Sequence, residues 1–174
     1  LSKEEPLTSY DLAKSCCDNL IRFYRSHYNV NCSSLRFSNV YGPGVSVDQK
    51  SRRALNKMLN IIHVNKEITL VGDGSYSRNY IHVFDAAAML IHAGRNILYT
   101  PPILLACSKE NFTFKFVISE LIEMYQLVFG AKVEMKFHLP ESFITDKRSF
   151  SAEPSKIFLK DFLQTSVIMR QDNM

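Results

Sequence analysis

The sequence lacks the features that mark several specialised classes of protein. Its four cysteines include no C-x-x-C spacing and its five histidines have no metal-ligand spacing, so no metal site or disulfide framework is predicted and a reducing, cytoplasmic compartment fits best. No apolar run approaches the ~18 residues that crossing a membrane requires, and the first residues, LSKEEP, do not resemble a signal peptide. The one tight basic cluster, KSRR at 50–53, is too short for a nucleic-acid footprint. We therefore expect no membrane partner and no nucleic-acid partner.

What the sequence contains is typical of a globular α/β domain. Of its 174 residues, 46% are hydrophobic and 22% are charged, which is the composition of a folded chain with a core. Apolar segments bounded by turn residues predict strands at VNCSSLRFSNV, EITLV, RNYIHV, ILLAC and KVEMKF. Helical periodicity predicts helices over residues 10–27, 51–63, 86–93 and 113–129, with a short helix near 154–162. We expect Asp85 to cap the third helix, Gly94 to follow its end, and Gly130 to stop the fourth.

The first predicted helix has an unusually wide apolar face. Apolar side chains occupy about half of its circumference, against the ~100° stripe that one packing surface needs. The members of this apolar arc are Leu12, Ala13, Cys16, Cys17, Leu20, Ile21, Phe23 and Tyr24. We expect the helix to cover a sheet and also to meet a second helix from another subunit, which predicts a homodimer through residues 10–27. Tyr10 and Lys14 lie together at one edge of the arc, because residues four apart are neighbours on a helix.

Three motifs follow one another in the first half of the chain. YDLAK is weak evidence alone, but LRFSNVYGPG and LVGDGSYSRNYIHVFDAAAML come after it in order and at matching spacing. The series resembles the extended short-chain dehydrogenase/reductases, specifically the nucleotide-sugar epimerases and dehydratases that use NAD. The resemblance covers residues 6–94. Near the end, RSFSAEPSKI resembles the arginine-bearing segment that precedes the family's last helix.

The resemblance implies the C-terminal part of a Rossmann-like doubly wound sheet, plus a smaller α/β substrate-binding domain. Residues 1–48 would belong to the NAD-binding Rossmann domain, and residues 49–174 mainly to the substrate-binding domain, with segments around 79–107 packing back on the Rossmann part. The family's glycine-rich loop, G-x-x-G-x-x-G, does not occur in the sequence. We therefore interpret the chain as part of a longer enzyme, and we expect it to have no NAD-dependent activity by itself.

The resemblance also assigns roles at the cofactor end of the site. It makes Tyr10 the general base and acid that exchanges a proton with a sugar hydroxyl while a hydride passes between the same carbon and NAD. It makes Lys14 the cation that favours the phenolate and also bonds the nicotinamide ribose. Phe37 and Ser38 match positions that line the nicotinamide pocket. The expected cofactor is NAD rather than NADP.

Three further residues match substrate-binding positions of the family. Asn39 matches an amide that bonds the nucleotide sugar. Arg78 matches the arginine that pairs with the diphosphate, because a planar fork of donors suits phosphate oxygens. Arg148 resembles a second diphosphate arginine. The expected substrate is a nucleotide-diphosphate sugar, epimerised or dehydrated through a transient ketosugar; the sequence separates neither these two reactions nor the nucleotides and sugars.

Some positions depart from the family pattern and keep other functions open. Asn79 stands where an aspartate is usual, Phe84 stands where a second acidic residue is usual, and ACSKEN lacks the glycine that usually follows the later strand. These departures favour one alternative, a non-catalytic remnant that binds a nucleotide or a partner. Reductase or decarboxylase chemistry on the same scaffold is another, because a fold does not fix a reaction.

Overall fold

The computed structural model describes residues 6–43, 54–139 and 154–159. Its helices, in chain order, are α1 (Ser9–Tyr28), α2 (Ala54–Asn65), α3 (Val83–Arg95), α4 (Phe114–Phe129) and α5 (Lys156–Leu159). Its strands are β1 (Ser34–Phe37), β2 (Asn39–Tyr41), β3 (Glu67–Val71), β4 (Ser77–Arg78), β5 (Tyr80–His82), β6 (Ile103–Ala106), β7 (Phe112–Thr113) and β8 (Glu134–His138). This alternation confirms the predicted α/β class. No helix in the described ranges combines the length and the apolarity needed to cross a membrane.

The ends of α1 and α4 follow from residues that satisfy free backbone groups. Thr8 and Asp11 form a capping box at the start of α1, with the Thr8 hydroxyl accepting from the Asp11 N–H at 3.1 Å and the Asp11 carboxylate accepting from the Thr8 N–H at 3.1 Å. At the start of α4, the Thr113 hydroxyl accepts from the Phe116 N–H at 3.3 Å. Gly130 ends α4 in the left-handed region with φ 63°, so the predicted stop is confirmed.

The predicted ends of α3 are wrong. The N-cap is His82, whose ring Nδ1 accepts from the Phe84 N–H at 3.3 Å, and Asp85 lies inside the first turn. An acidic side chain in the first turn interacts favourably with the helix dipole without capping it. Gly94 lies within α3, which continues to Arg95 and ends at Asn96.

The predicted strand over residues 30–40 consists of two strands that separate at Ser38. β1 pairs in parallel with β6, whereas β2 pairs in parallel with β5. The Ser38 N–H still donates to the Ala106 carbonyl at 3.2 Å, and the next N–H, that of Asn39, donates to the Asn79 carbonyl at 3.2 Å. The chain thus changes its sheet partner at Ser38. The remaining pairs are β3 with β8, which is parallel, and β4 with β7, which is antiparallel.

Two apolar clusters make most of the core. One lies between α2, β3 and α4 and consists of Ile62, Ile68, Leu70, Phe114, Ile118, Ile122, Tyr125 and Val133. The other lies between α3, β5, β6 and α5 and consists of Ile81, Ala86, Met89, Ala93, Leu104, Ala106 and Phe158. A smaller cluster of Leu55, Tyr80 and Val117 joins α2, β5 and α4.

Helix α1 packs differently from the prediction. Its one buried residue is Asp18, at 5% exposure, whereas most of the apolar arc faces outward. The large exposed apolar side chains of α1 are Tyr10, Leu12, Leu20, Phe23, Tyr24 and Tyr28. The expectation that this arc covers the sheet is therefore wrong, because a polar contact through Asp18 holds the opposite side of α1 against β1.

Gly42 fixes the turn that follows β2. Its φ of 131° lies in the region that favours glycine, and a Cβ there would stand 2.7 Å from Cγ1 of Val83 and 2.9 Å from Nε2 of His82. Only a residue without a side chain allows this close approach to the start of α3. The glycine in the YGPG turn therefore serves the packing of β2 against α3.

Candidate functional site

A cleft of about 630 Å³ opens between α1 and β1. Tyr10 and Lys14 line it from the helix, while Phe37 and Ser38 line it from the end of the strand. Its volume lies within the ~300–1,000 Å³ range of small-molecule sites. Four residues that the sequence nominates for the cofactor end thus lie in one cavity, although the helix and the strand are separate elements.

Tyr10 and Lys14 are neighbours on the first two turns of α1. The Lys14 ammonium lies 5.4 Å from the centroid of the Tyr10 ring, a cation–π distance. Tyr10 is 68% exposed, so its phenol is open to a ligand entering the cleft. The arrangement can place a cation beside a phenol that exchanges a proton, which is the chemistry that this pair of residue types supports.

Asp18 and Arg36 form the floor of the same cleft. Nε of Arg36 donates to Oδ2 of Asp18 at 2.6 Å, and Nη2 of Arg36 forms a second contact with the same oxygen. The Asp18 side chain is 7% exposed and that of Arg36 is 34% exposed. Since Asp18 lies one turn beyond Lys14, this ion pair holds the face of α1 that bears Tyr10 and Lys14 against β1.

A second cleft, of about 380 Å³, adjoins the first at Ser38. Asn39, Asn56 and Tyr80 supply polar side chains to its lining, and Ser38 lines both clefts. The Ser38 hydroxyl oxygen is buried and has no hydrogen-bond partner in the described part of the chain. A buried hydroxyl without a partner is costly unless a ligand or water satisfies it.

The second cleft contains a phenol that stays protonated at neutral pH. Burial raises the pKa of Tyr80 from its ordinary value of 10.0 to about 12, with a smaller contribution from Tyr76, while Arg78 opposes the shift. Tyr80 is 4% exposed. The second cleft therefore offers a neutral hydroxyl beside the amides of Asn39 and Asn56.

Of the two arginines nominated for the diphosphate, Arg78 alone lies within the described residues. Arg78 lines neither cleft; its Nη1 donates to the Ser77 carbonyl at 2.9 Å, and its guanidinium carbon stands 4.7 Å from the Tyr76 ring centroid. Arg148 lies outside the described residues. Arg78 is nevertheless close enough to Tyr80 for its positive charge to lower the pKa of that phenol, so the charge of Arg78 acts on a residue of the second cleft.

The residues of the first cleft fit one end of a dinucleotide. A lysine, a phenol and the unpartnered hydroxyl of Ser38 could bond a ribose and a nicotinamide amide, and Phe37 could face a ring. The pyrophosphate needs a glycine turn with free backbone N–H groups, and the sequence has no such loop. Within the described residues, no group of three His, Cys, Asp or Glu side chains could hold a metal ion.

Sequence reasoning missed Asp18 and Tyr80. The helical wheel assigns Asp18 to the polar face, although it is the most buried residue of α1. A signal exists in the strand, because Arg36 is a charged residue between two apolar ones, Leu35 and Phe37, and needs a partner where it is partly buried. Tyr80 carries no signal of its own, since a buried tyrosine in a strand is usually a core residue.

Comparison with known proteins adds independent findings. The profile described as "NAD dependent epimerase/dehydratase family" matches residues 1–102. A dTDP-4-dehydro-6-deoxy-D-allose reductase of Streptomyces bikiniensis is 36% identical over 123 residues, covering 70% of this chain and 35% of that protein. A UDP-glucuronate 4-epimerase of Thermodesulfobacterium geofontis is 24% identical over 183 residues, covering 100% of this chain and 54% of that protein. The chain thus spans between a third and a little over half of these relatives.

Solved structures have the same fold. A UDP-N-acetylglucosamine 4-epimerase of Methanobrevibacter ruminantium, in complex with UDP-N-acetylmuramic acid, matches with a TM-score of 0.66 at 18% identity, covering 91% of this chain and 53% of that one. A UDP-glucuronic acid 4-epimerase of Bacillus cereus, in complex with NAD, matches with a TM-score of 0.62 at 23% identity, covering 79% of this chain and 43% of that one. At this identity the likeness establishes the Rossmann-type α/β fold.

Proposed function

The chain belongs to the NAD-dependent epimerase/dehydratase family of extended short-chain dehydrogenase/reductases, and from this premise we propose that it acts on a nucleotide-diphosphate sugar. The proposed reaction is epimerisation or dehydration through a transient ketosugar, with Tyr10 as base and acid. The observation that carries the proposal is the meeting of Tyr10, Lys14, Phe37 and Ser38 in one cleft.

The chemistry of these side chains is a proton exchange at one sugar hydroxyl. The chemistry that NAD would supply when bound is to accept a hydride from the carbon that bears this hydroxyl and later to return it. The phenolate oxygen of Tyr10 takes the hydroxyl proton as the ketone forms, and returns it when the ketone is reduced. The Lys14 ammonium beside the ring stabilises the phenolate charge. Ser38 donates its unpartnered hydroxyl hydrogen to the bound ligand.

The nucleotide end of the substrate is assigned to residues beyond Ser38. Asn39 bonds the nucleotide sugar in the second cleft, and Arg78 pairs with the diphosphate, because its planar fork of donors suits phosphate oxygens. Arg148 is a second diphosphate arginine in the same proposal. The division into a Rossmann part, residues 1–48, and a mainly substrate-binding part, residues 49–174, remains a prediction.

The missing glycine-rich loop leads to a proposal about the isolated chain. Contacts at the nicotinamide end alone cannot replace the walls that bury most of a cofactor. We expect residues 1–174 to show no specific NAD affinity, whereas an extended protein, meaning this chain joined to an upstream segment that carries the loop, binds NAD. Titration calorimetry on both proteins tests this expectation. Saturable micromolar binding by residues 1–174 alone would contradict it.

The outward apolar face of α1 supports the proposal of a homodimer. Leu20 is 56% exposed in the middle of this 20-residue helix, and the adjacent turns expose further apolar side chains. Pairing with the same helix of a second copy would bury this face. Leu20→Glu should convert the dimer to monomer in sedimentation, whereas Leu127→Glu, at a 78% exposed position of α4, should not. A monomeric wild type would refute the proposal.

Turnover assays decide between the reaction classes. The extended protein is incubated with UDP-sugars and dTDP-sugars, with and without a reduced nicotinamide cofactor, and the products are identified by NMR. An epimer or a 4-keto-6-deoxy sugar formed with catalytic NAD supports the proposal. A net reduced sugar would favour the reductase alternative, to which the 36% identical relative points. Nucleotide binding without turnover would favour the remnant that Asn79, Phe84 and the altered ACSKEN segment suggest.

A further inference from the structure

Asn79 is the most completely buried polar residue near the second cleft, at 0% exposure. It lies between β4 and β5, where Arg78 ends one strand and Tyr80 begins the next. Its side-chain amide nitrogen, Nδ2, donates to the Ser108 carbonyl at 2.9 Å and to the Glu110 carbonyl at 2.9 Å. The Asn79 amide is therefore held by the loop that follows β6.

The orientation of this amide is unambiguous. The two carbonyls can only accept, so Nδ2 must face them, and the Ser108 N–H can only donate, so Oδ1 must face it, at 3.0 Å. Oδ1 of Asn111 is a third acceptor, 3.2 Å from Nδ2. Every hydrogen-bonding atom of the Asn79 side chain thus has a partner in the loop 108–111.

The main chain of Asn79 faces the other way, toward the second cleft. Its carbonyl accepts from the Asn39 N–H at 3.2 Å and from the Asn39 side-chain Nδ2 at 2.9 Å. These two bonds fix both the backbone and the amide of Asn39. Oδ1 of Asn39 has no hydrogen-bond partner among the described residues, so it remains to accept from a ligand in the second cleft.

We propose that Asn79 is a positioning residue whose amide locks the loop 108–111 to the start of β5 and whose carbonyl thereby orients Asn39 for the ligand. This inference rests on the proposed function only for the identity of that ligand. Asn79 and the ACSKEN segment, which are separate features of the sequence, are partners in one hydrogen-bond network.

A carboxylate cannot replace the Asn79 amide in this network. In Asn79→Asp an acceptor oxygen would face the Ser108 and Glu110 carbonyls without a hydrogen to donate, and the charge would have no exposure to water. A protonated aspartic acid could donate one hydrogen to these carbonyls. The variant should therefore bind a proton more tightly when folded than when unfolded, and its stability should depend on pH.

The test measures thermal unfolding of the 174-residue chain between pH 4 and pH 8. Asn79→Asp should lower Tm by about 10 °C at pH 7, and the difference from wild type should shrink as the pH falls toward 4. Asn79→Ala, which removes the amide without adding a charge, should lower Tm by an amount that hardly varies with pH. Asn111→Asp is the matched control, because its carboxylate oxygen still accepts from Nδ2 and Tm should hardly change.

Three outcomes of this test would contradict the proposal that the Asn79 amide holds the loop 108–111 to the start of β5. They are a Tm of Asn79→Asp equal to that of wild type at pH 7, an Asn79→Asp deficit that does not vary with pH, and equal losses in Asn79→Asp and Asn111→Asp. If Asn79→Asp does not fold at any pH while Asn111→Asp does, the result still supports the proposal. It would show that the network needs the donor group of Asn79 but tolerates a carboxylate at the acceptor, residue 111.

Hydrogen exchange tests the positioning of Asn39 without any ligand. The Asn39 backbone amide should exchange roughly tenfold faster in Asn79→Ala than in wild type, measured relative to β3 amides, which lie in a separate core. Unchanged exchange would refute the positioning role. Affinity for UDP-glucose should fall in the same variant of the extended protein. If wild type binds no nucleotide sugar while the exchange and pH results hold, the proposed function fails and the positioning role stands.

Discussion

The carboxylate of Asp18 accepts a 2.6 Å hydrogen bond from Nε of Arg36, and this pair joins the helix that bears Tyr10 and Lys14 to the strand that leads to Ser38. The geometry of the candidate site therefore depends on a polar contact. The apolar face of α1, which would ordinarily pack a helix against a strand, is turned away from β1.

Removing the charge of Asp18 should loosen the first cleft. Asp18→Asn keeps the shape but leaves the partly buried Arg36 with a weaker partner, so we expect the free energy of unfolding to fall by about 1–3 kcal/mol. Urea titration monitored by circular dichroism measures the loss. Glu123→Gln, an exposed carboxylate of α4, is the control and should change stability by less than about 0.5 kcal/mol. Equal stability of Asp18→Asn and wild type would contradict the structural role of the pair.

Lys14 should contribute to cofactor binding as well as to turnover. Lys14→Met removes a charged donor from the first cleft, and we expect NAD affinity of the extended protein to fall about tenfold, the scale of one charge-assisted hydrogen bond. Tyr10→Phe removes no such donor and should leave NAD affinity nearly unchanged. Calorimetry on the three proteins makes the comparison. The assignment of Lys14 fails if Lys14→Met binds NAD as tightly as wild type.

Tyr80 should make the fold sensitive to alkaline pH. Burial raises its pKa to about 12 in the folded chain, above the ordinary 10.0. The folded state favours the neutral phenol, so the stabilisation is fully present below pH 10 and is lost as the pH rises toward 12, by up to ~1.4 kcal/mol per pH unit. Urea unfolding between pH 8 and pH 11.5 should reveal this slope in wild type, and Tyr80→Phe should reduce it.

An exposed tyrosine supplies the control for this experiment. Tyr99 is 84% exposed, so Tyr99→Phe should retain the alkaline slope of wild type. If Tyr80→Phe lost stability with pH as steeply as Tyr99→Phe, the slope would belong to other groups and the burial argument would be wrong.

Arg78 should recognise the diphosphate through its planar fork. Arg78→Ala in the extended protein should weaken binding of a bare nucleoside diphosphate by ~1.5–3 kcal/mol, and Arg78→Lys should recover only part of this, because an ammonium cannot bond two phosphate oxygens in the same plane. Calorimetry with UDP and dTDP measures the effect and identifies the base. Arg95→Ala, on the exposed end of α3, is the control. Unchanged binding of both nucleotides by Arg78→Ala would remove Arg78 from the diphosphate site.

Local patterns predicted much of the secondary structure. EITLV is β3 residue for residue, and the fourth helix ends at Gly130 as expected, because strand alternation and a left-handed glycine are properties of neighbouring residues. The cap of α3 was mispredicted because His82 competes with Asp85 for the same role. Residue preference favours aspartate over histidine at an N-cap, so it selects the wrong residue here.

Long-range polar contacts were beyond the reach of these patterns. The burial of Asp18 depends on Arg36, which lies 18 residues further along the chain, and a helical wheel weighs only hydrophobicity. In the same way, Asn79 depends on carbonyls at 108 and 110, which β6 brings to it from about 30 residues away. Its departure from the family pattern was visible in the sequence, but its partners were not.

The central claim, that Tyr10 exchanges the proton of the reacting sugar hydroxyl, is tested most directly by the turnover number of Tyr10→Phe in the extended protein. We predict that kcat falls at least ~100-fold, with the circular dichroism spectrum and NAD affinity retained, because the change removes one oxygen from an exposed side chain. A kcat equal to that of wild type would contradict the account and remove Tyr10 from the chemistry.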